Sequence, residues 1–258
     1  MRISLGALTG ILPIAGLFGI WYGLSTYAGI DPQKLPRIGS VLDATIAMER
    51  DGSLKDHISA SLYRVSVGFS LTFVTAVPLG LLLGWYSSIG RAFGPLTELM
   101  RTISPISWIP IAIIWFGIGD PPAVFILFVS TFFPLLIATR NAVRQIDPLL
   151  LRVASDLGAS GRRLFASVLV PACVPYIFLG TRISLGIGWL VIVAAEMVGT
   201  RSGLGFLISD ARYQTNTPAL FSGIIIIGLI GLLIDIILFL IGRLLERRGY
   251  LQKSKEQA

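Results

Sequence analysis

Few side chains in this sequence could carry out covalent chemistry. The only histidine, His57, lies in a polar segment where we expect a solvated loop, and the only cysteine is Cys173. Metal sites of the His/Cys type need several such ligands, and Ser/His/Asp or Cys/His nucleophiles need a paired base. A Ser–Lys dyad within the membrane also fails, because no lysine falls in an apolar stretch. We therefore expect no catalytic residue and no metal ligand here.

The lysines also decide how the chain can use a nucleotide. A phosphate-binding loop of the GxxxxGK[ST] type needs a lysine after a glycine-rich turn. None of the lysines has that setting; they are Lys34, Lys55, Lys253 and Lys255. The chain thus has no cofactor site for ATP, and an ATP-driven process would need ATP and Mg²⁺ on a separate subunit.

The last two apolar stretches contain ionisable residues, and a charge there is costly and usually faces a cavity or the protein interior. Arg182 and Glu196 are nearly four helical turns apart, about 21 Å, and so lie near one face. Asp235, on the next stretch, has a depth similar to that of Arg182. We hypothesise an Arg182–Asp235 pair that locks the two helices together. The alternative is that each charge meets backbone carbonyls or water separately.

A second candidate group is Arg101 with Ser104 and Trp108 nearby. A guanidinium beside hydroxyl donors could contact an anionic solute in a transport pathway. Alternatively, Arg101 lies at the cytoplasmic interface and reaches lipid headgroups, and Trp108 packs against neighbouring helices. The sequence leaves both alternatives open.

The elements that position these residues are membrane helices. The chain has 258 residues, is 54% hydrophobic and 14% charged, and has a mean hydropathy of +0.79. An average soluble domain is roughly 25% charged, so this composition excludes an ordinary soluble enzyme, a disordered chain and a fibrous protein. We expect an all-α polytopic membrane protein, because six stretches approach the roughly 20 residues that span a bilayer. They cover 5–28, 65–85, 93–118, 123–139, 174–198 and 219–241.

Basic residues predict the orientation, because cytoplasmic loops are enriched in lysine and arginine. Their excess falls on the side that carries both chain ends, so we expect cytoplasmic termini. We attribute the net charge of +7 to this orientation rather than to nucleic-acid binding. The chain then divides into an N-terminal transmembrane helix and extracytoplasmic loop (1–60), a core of five transmembrane helices (61–243) with a cytoplasmic loop (140–170), and a cytoplasmic tail (244–258).

Two spans have unusual residues. The third contains Pro95, Pro105 and Pro110, and helix breaks at membrane depth are tolerated only beside protein or a water-filled cavity. We therefore expect this span to line a cavity. On the second span, Gly80 and Gly84 have the GxxxG spacing that permits close helix contact.

The polar segment after the fourth span predicts a short helix outside the membrane. Asp147 followed by Pro148 is typical of a helix start, and Gly158 is typical of a helix end. Between them, apolar residues recur at helical spacing at Leu150, Ala154 and Leu157.

A second short helix is expected to follow the first. Ser160 can cap a helix over 161–170, and Pro171 then marks the entry to the fifth span. Short apolar helices outside the membrane need a surface to bury against, which the groove of a partner protein would supply. The alternative is a simple connector.

The same segment resembles the EAA loop of ABC importer permeases, whose pattern is E-A-A-x-x-x-G, nine residues, then I-x-L-P. Ala154, Gly158 and Pro171 match it, and Arg152 stands at the glutamate position. The segment 61–69 resembles the start of the permease core. Trp-Phe-Gly-Ile-Gly at 115–119 and Ala-Glu-Met at 195–197 are similar to the branch that handles nitrate, sulfonates, taurine and bicarbonate.

The resemblance implies a type I ABC importer permease fold in a bacterial inner membrane, with no covalent catalysis in this chain. Implied partners are a second permease subunit in a homodimer, two ABC ATPase subunits and an extracytoplasmic substrate-binding protein, and the implied solute is a small oxyanion. The expected ATPase contacts are Ala154, Asp156, Leu157, Gly158, Ala159, Ser160 and Pro171. The expected pathway or gating residues are Arg101, Ser104, Trp108, Arg182, Glu196 and Asp235.

The competing hypothesis is a secondary transporter driven by an ion gradient. Such a protein needs carboxylates near the bilayer midplane for the coupling ion. Asp235 lies too near the cytoplasmic end of its span to serve easily, and the short helices outside the membrane would have no purpose.

Overall fold

The computed structural model describes residues 5–247, and within that range every regular element is helical, which confirms the all-α prediction. A 3₁₀ turn (Pro105–Trp108) precedes α5, and a π-helical turn (Phe165–Leu169) joins α8 to α9. The helices are α1 (Leu5–Tyr27), α2 (Ile38–Arg50), α3 (Ser53–Trp85), α4 (Ser87–Thr102), α5 (Ile109–Phe116), α6 (Asp120–Gln145), α7 (Pro148–Asp156), α8 (Gly161–Leu164), α9 (Val170–Gly199), α10 (Leu204–Tyr213) and α11 (Thr217–Arg247).

Within residues 5–247, four helical runs are long and apolar enough to cross a bilayer: α3, α6, α8 through α9, and α11. The predicted span over 93–118 is not one straight helix. It consists of α4 and the unit Pro105–Phe116, which meet at 84° and pass the same test only together. Pro105 explains the break, because the residue before a proline is driven out of the helical region, and Ser104 has an extended backbone.

The first predicted span is a helix, α1, which carries no charged residue. The count of six spans and the cytoplasmic position of both chain ends remain predictions. Most of the predicted tail over 244–258 lies outside the described residues.

The predicted end of the core at 243 falls inside α11, and other predicted boundaries also fall inside helices. The division at 60/61 lies within α3, because the polar first turns of that helix are packed rather than looped out, with Leu54 and Ser61 buried. His57 belongs to the same turns; it is half-buried, and its Nδ1 accepts the Gly203 N–H at 3.1 Å, so it is not a solvated loop residue. The loop predicted from 140 begins only after Gln145, where α6 ends.

Small residues bring α3, α6 and α9 close together at the centre of the fold. A Cβ placed on Gly80 would lie 2.6 Å from the Thr139 Cβ, and one on Gly84 would lie 2.5 Å from the Val143 Cβ. A Cβ on Gly188 of α9 would lie 2.6 Å from the Thr131 Cγ2 of α6. The close contact predicted for Gly80 and Gly84 is therefore made with α6 of the same chain.

Gly80→Ala is expected to destabilise the protein by about 1–3 kcal/mol, because the added methyl group must part α3 from α6. Gly186 on α9 is the matched control, since a Cβ there meets nothing within 4 Å. Gly186→Ala should be neutral or stabilising by up to about 1 kcal/mol through helix propensity. Thermal unfolding of the purified variants measures both, and equal losses would contradict this packing.

Candidate functional site

The first short helix outside the bundle forms as its sequence predicts. Asp147 caps α7 by accepting the Leu149 N–H at 2.8 Å, with Pro148 in the first turn. The helix ends at Asp156, and Gly158 follows with φ of +89°, a left-handed conformation that favours glycine. The Gly158 N–H then bonds the carbonyl oxygen of Ser155 at 2.9 Å and closes the turn.

The second short helix differs from the prediction. The segment from Gly161 runs through the π-helical turn into α9, so Gly161–Gly199 is one continuous helix and Pro171 lies inside it. A π-helical turn is a common way to take up a local mismatch in the i→i−4 hydrogen bonds, such as the missing N–H of a proline. Ser160 precedes the helix, but its side chain makes no capping bond.

We call residues 147–164, comprising α7, the Gly158 turn and α8, the coupling elbow. Its inner face packs on the bundle through Leu151, and Phe165 just beyond it contacts the same cluster around Leu169 and Cys173. Its outer face exposes an apolar row: Leu149, Leu150, Val153 and Leu157. Leu157, at the tip, is 84% exposed.

The residues predicted to contact an ATPase divide between these two faces. Ala154 and Ala159 are half-buried against the bundle. The others are exposed: Asp156, Leu157, Gly158, Ser160 and Pro171. The structure thus leaves the tip of the coupling elbow free to meet another protein.

At the opposite end of the bundle lies an ionic cluster that the sequence analysis missed. Arg64 is 1% exposed, and its Nη1 donates to the Glu196 carboxylate at 2.7 Å. Its Nε donates to Asp120 at 2.8 Å, and its terminal nitrogens reach the carbonyl and hydroxyl oxygens of Ser202. One side chain therefore ties together α3, α6, α9 and the turn before α10.

Glu196 has further partners. It is fully buried, and it accepts hydrogen bonds from the Ser61 hydroxyl at 2.9 Å and from the Gly205 N–H at 3.0 Å. A buried carboxylate with this many donors is stabilised in place. Glu196 lies in the packed interior, so the geometry favours a role in holding the helices together over the pathway or gating role expected from the sequence.

A signal for this cluster exists in the sequence. Ser61, Arg64, Val65 and Gly68 follow the i, i+3, i+4, i+7 pattern of one helix face. Serine, valine and glycine suit a packed helix face. An arginine on the same face must then pair with a buried acid. Starting the second span at 65 placed Arg64 outside the membrane helix and hid this pattern.

The hypothesised Arg182–Asp235 pair is present in the structure. The arginine Nε and Nη2 each donate to one carboxylate oxygen at 2.9 Å, a two-point contact between α9 and α11. Such parallel hydrogen bonds fix the relative position of two side chains. Its role as a lock between the helices remains a prediction.

Exchanging the two charges tests that lock. Arg182→Asp and Asp235→Arg alone should each lower solute uptake severalfold, because each leaves two like charges facing one another within the membrane. The double variant restores opposite charges and should recover most of the uptake. Failure of the double variant to exceed either single variant would rule out the lock, provided that all three reach the membrane in equal amounts.

Arg101 lies beside a cavity of about 430 Å³ between α4, α6 and α9. The cavity also touches Pro134, about 21 Å along α6 from Asp120 and about 17 Å from Gln145. Arg101 is therefore near the middle of the bundle rather than at its end, which favours the pathway alternative. Ser104 lies at the helix break next to this lining, whereas Trp108 packs against the core.

These features define a class. A helical membrane protein with an exposed apolar elbow at one end, a buried ionic cluster at the other and a broken helix beside a mid-depth cavity is built as a transport subunit. Residues 76–249 match the family described as the binding-protein-dependent transport system inner membrane component, and the chain belongs to that family. It is thus a multi-pass inner-membrane permease of the ABC importer class.

Named relatives agree with this assignment. The nitrate import permease protein of Synechocystis is 36% identical, covering 86% of this chain and 83% of that protein. The bicarbonate transport system permease protein of Synechococcus elongatus is 34% identical over 87% and 85%. The taurine transport system permease protein of Escherichia coli is 30% identical over 91% and 86%.

A solved structure confirms the expected fold. The inward-facing MetNI methionine ABC transporter aligns with a TM-score of 0.63 at 21% identity, covering 74% of this chain and 94% of that chain. At this level of identity the likeness shows the type I ABC importer permease fold alone.

Proposed function

We propose that this chain and a second copy of it form the membrane pathway of an ATP-driven importer for a small oxyanion. In this proposal two separate ABC ATPase subunits hold ATP and Mg²⁺, and an extracytoplasmic binding protein delivers the solute. The names of the relatives, for nitrate, bicarbonate and taurine, support a solute that carries an oxyanion group. The missing phosphate-binding loop supports a separate ATPase.

The observation that carries the proposal is the exposed apolar tip of the coupling elbow. Leu157 is 84% exposed directly after α7, a short helix that lies beyond the spanning runs. Burying such a side chain in a partner's groove would contribute about 1.5–3 kcal/mol. Val153 and Leu150, one and two turns away on the same face, would extend that contact.

The connection from the coupling elbow to the membrane is direct. Its second helix, α8, is the beginning of the continuous helix Gly161–Gly199. A rotation of the coupling elbow is therefore a rotation of α9 itself. Its first helix, α7, packs through Leu151 on a cluster that includes Leu81 of α3 and Ala142 of α6. Closure of an attached ATPase would therefore tilt three helices together as a rigid body.

The Arg64 cluster would keep the far ends of these helices together while they tilt. Arg64 and Glu196 join α3 to α9, and Asp120 adds α6. We assign these residues to holding the helices, and Arg101 to the solute pathway.

The ion-gradient alternative receives no support. Both oxygens of the Asp235 carboxylate are engaged by Arg182, and Glu196 is buried against Arg64. Neither acid offers an open site for a coupling ion.

Reconstituted vesicles provide the test. The permease, its ATPase and its binding protein would be assayed for uptake of radiolabelled taurine and bicarbonate and of isotopically labelled nitrate. We expect uptake of one of these to stop when ATP is omitted and to persist when an uncoupler collapses the ion gradient. Uptake that persists without ATP but stops with the uncoupler would overturn the proposal.

A further inference from the structure

We propose that the cavity beside Arg101 binds an organic anion with an apolar body, an alkyl sulfonate or an alkyl carboxylate, rather than a small inorganic oxyanion. This inference rests on the proposed import of an anion and narrows its chemical class. It concerns the cavity between α4, α6 and α9, with Arg101 at its edge.

The walls of this cavity are almost entirely apolar. At about 430 Å³ it falls within the roughly 300–1,000 Å³ of small-molecule sites. Ser130 is the one hydroxyl in the lining, and it already donates to the Leu127 carbonyl at 2.8 Å. The apolar lining includes Met100, Ile103, Val129, Phe133, Ile183 and Ile187. Such walls favour a hydrocarbon group.

Arg101 is the one charged side chain in the lining of the cavity. Arg101 Nε donates to the Glu98 carboxylate at 3.1 Å, and Arg140 approaches the same carboxylate at 3.9 Å. One acid thus faces two guanidinium groups. Within residues 5–247, nothing accepts a hydrogen bond from the two terminal nitrogens of Arg101, which can therefore hold a sulfonate or carboxylate group.

An inorganic oxyanion fits this site poorly. Nitrate or bicarbonate would gain hydrogen bonds from one guanidinium and none from the apolar walls, which leaves much of its desolvation uncompensated. An alkyl sulfonate places its charged head on Arg101 and its chain against the apolar walls. The mid-depth position beside a broken helix is also where transported ligands bind in other membrane proteins.

A neighbouring cavity supplies an internal comparison. It has a volume of about 530 Å³ and is lined by apolar side chains of α3, α4 and α6, with Thr97 as its one aliphatic hydroxyl and no charged residue. A purely hydrophobic probe should prefer this second cavity. An amphiphilic anion should prefer the cavity beside Arg101.

Photolabelling of the purified importer complex tests the assignment. The probes are a diazirine derivative of pentane-1-sulfonate and the matching derivative of pentan-1-ol, with the labelled peptides identified by mass spectrometry. We expect the sulfonate probe to label peptides lining the Arg101 cavity, with labelling reduced by excess pentane-1-sulfonate. Arg101→Gln should lower this labelling about tenfold, the loss of roughly one charge-assisted hydrogen bond.

Two further variants sharpen the test. Arg91→Gln removes an exposed arginine from the same helix outside the cavity lining, and it should leave labelling unchanged. Ile183→Trp fills the mouth of the cavity from an exposed position and should lower labelling severalfold while Arg101 remains. Labelling by the alcohol probe in the neighbouring cavity should not respond to Arg101→Gln, which shows that this variant is folded.

Several results would overturn the inference. Nitrate or sulfate competing as well as pentane-1-sulfonate at equal ionic strength would show recognition of charge alone. Equal losses of labelling in Arg91→Gln and Arg101→Gln would show a general electrostatic effect. A cross-link from Ile183→Cys to a second permease subunit would show that the second copy fills the cavity. Because labelling needs no ATP, its failure beside intact ATP-driven uptake would overturn the site and leave the proposed function standing.

Discussion

Leu157→Asp is expected to abolish ATP-driven uptake while leaving the permease folded. The side chain is 84% exposed at the tip of the coupling elbow, so its replacement removes no contact within the described chain that matters for stability. In the assembled importer it would place a charge in the apolar contact with the ATPase. We expect the ATPase association to weaken roughly a hundredfold, about 3 kcal/mol, measured by the amount of ATPase that co-purifies with the permease.

Ser155→Asp is the matched control for this variant. It adds the same charge two residues earlier in the coupling elbow, but Ser155 is exposed on the side of α7 turned away from Leu157 and Val153. Uptake and ATPase recovery should stay near the unmodified values, and the thermal unfolding midpoint should be unchanged in both variants. If the two substitutions impair ATPase recovery equally, the apolar row is not the contact surface.

Arg64→Ala is expected to have the largest effect on stability, about 3–5 kcal/mol, because it leaves the fully buried Glu196 carboxylate without its guanidinium partner. Glu196→Ala should cost a similar amount, since it leaves Arg64 buried with its strongest partner gone. The double variant should lose less than the sum of the two single losses, because neither charge is then left alone. Chemical unfolding of the purified permease in detergent measures all three.

Asp120→Asn tests the exposed Arg64–Asp120 ion pair separately from the buried Arg64–Glu196 pair. Asp120 is 54% exposed, so its ion pair with Arg64 is screened by solvent and should contribute at most about 1 kcal/mol. A loss for Asp120→Asn as large as that for Arg64→Ala would contradict the view that the Arg64–Glu196 contact holds these helices together.

The coupling elbow could be predicted from sequence because its signals are local. Asp147, Pro148 and Gly158 act on the backbone within a few residues, and all three behave as their types suggest. The continuity of α8 with α9 could not be predicted in this way. Pro171 reads as a boundary in sequence, but the π-helical turn before it lets the helix continue.

The charged residues likewise include a pair that could be predicted from sequence and a cluster that could not. The Arg182–Asp235 pair followed from depth alone, since two opposite charges at one level of neighbouring spans have strong reason to meet. Arg64 and Asp120 were assigned to polar segments because a window of hydropathy ends where charge begins. The burial of Arg64 and its pairing with Asp120 and Glu196 depend on how α3, α6 and α9 pack, which no single segment of sequence reveals.

A cross-link from the elbow tests the central claim most directly. Cys173, the only natural cysteine, is fully buried, so Leu157→Cys places one reactive thiol at the exposed tip of the coupling elbow. In membranes that contain the active importer, a short thiol-to-amine cross-linker should join this position to a second polypeptide that binds ATP. Recovery of only uncross-linked permease, or of cross-links to polypeptides that bind no nucleotide, from membranes that import normally would contradict the account.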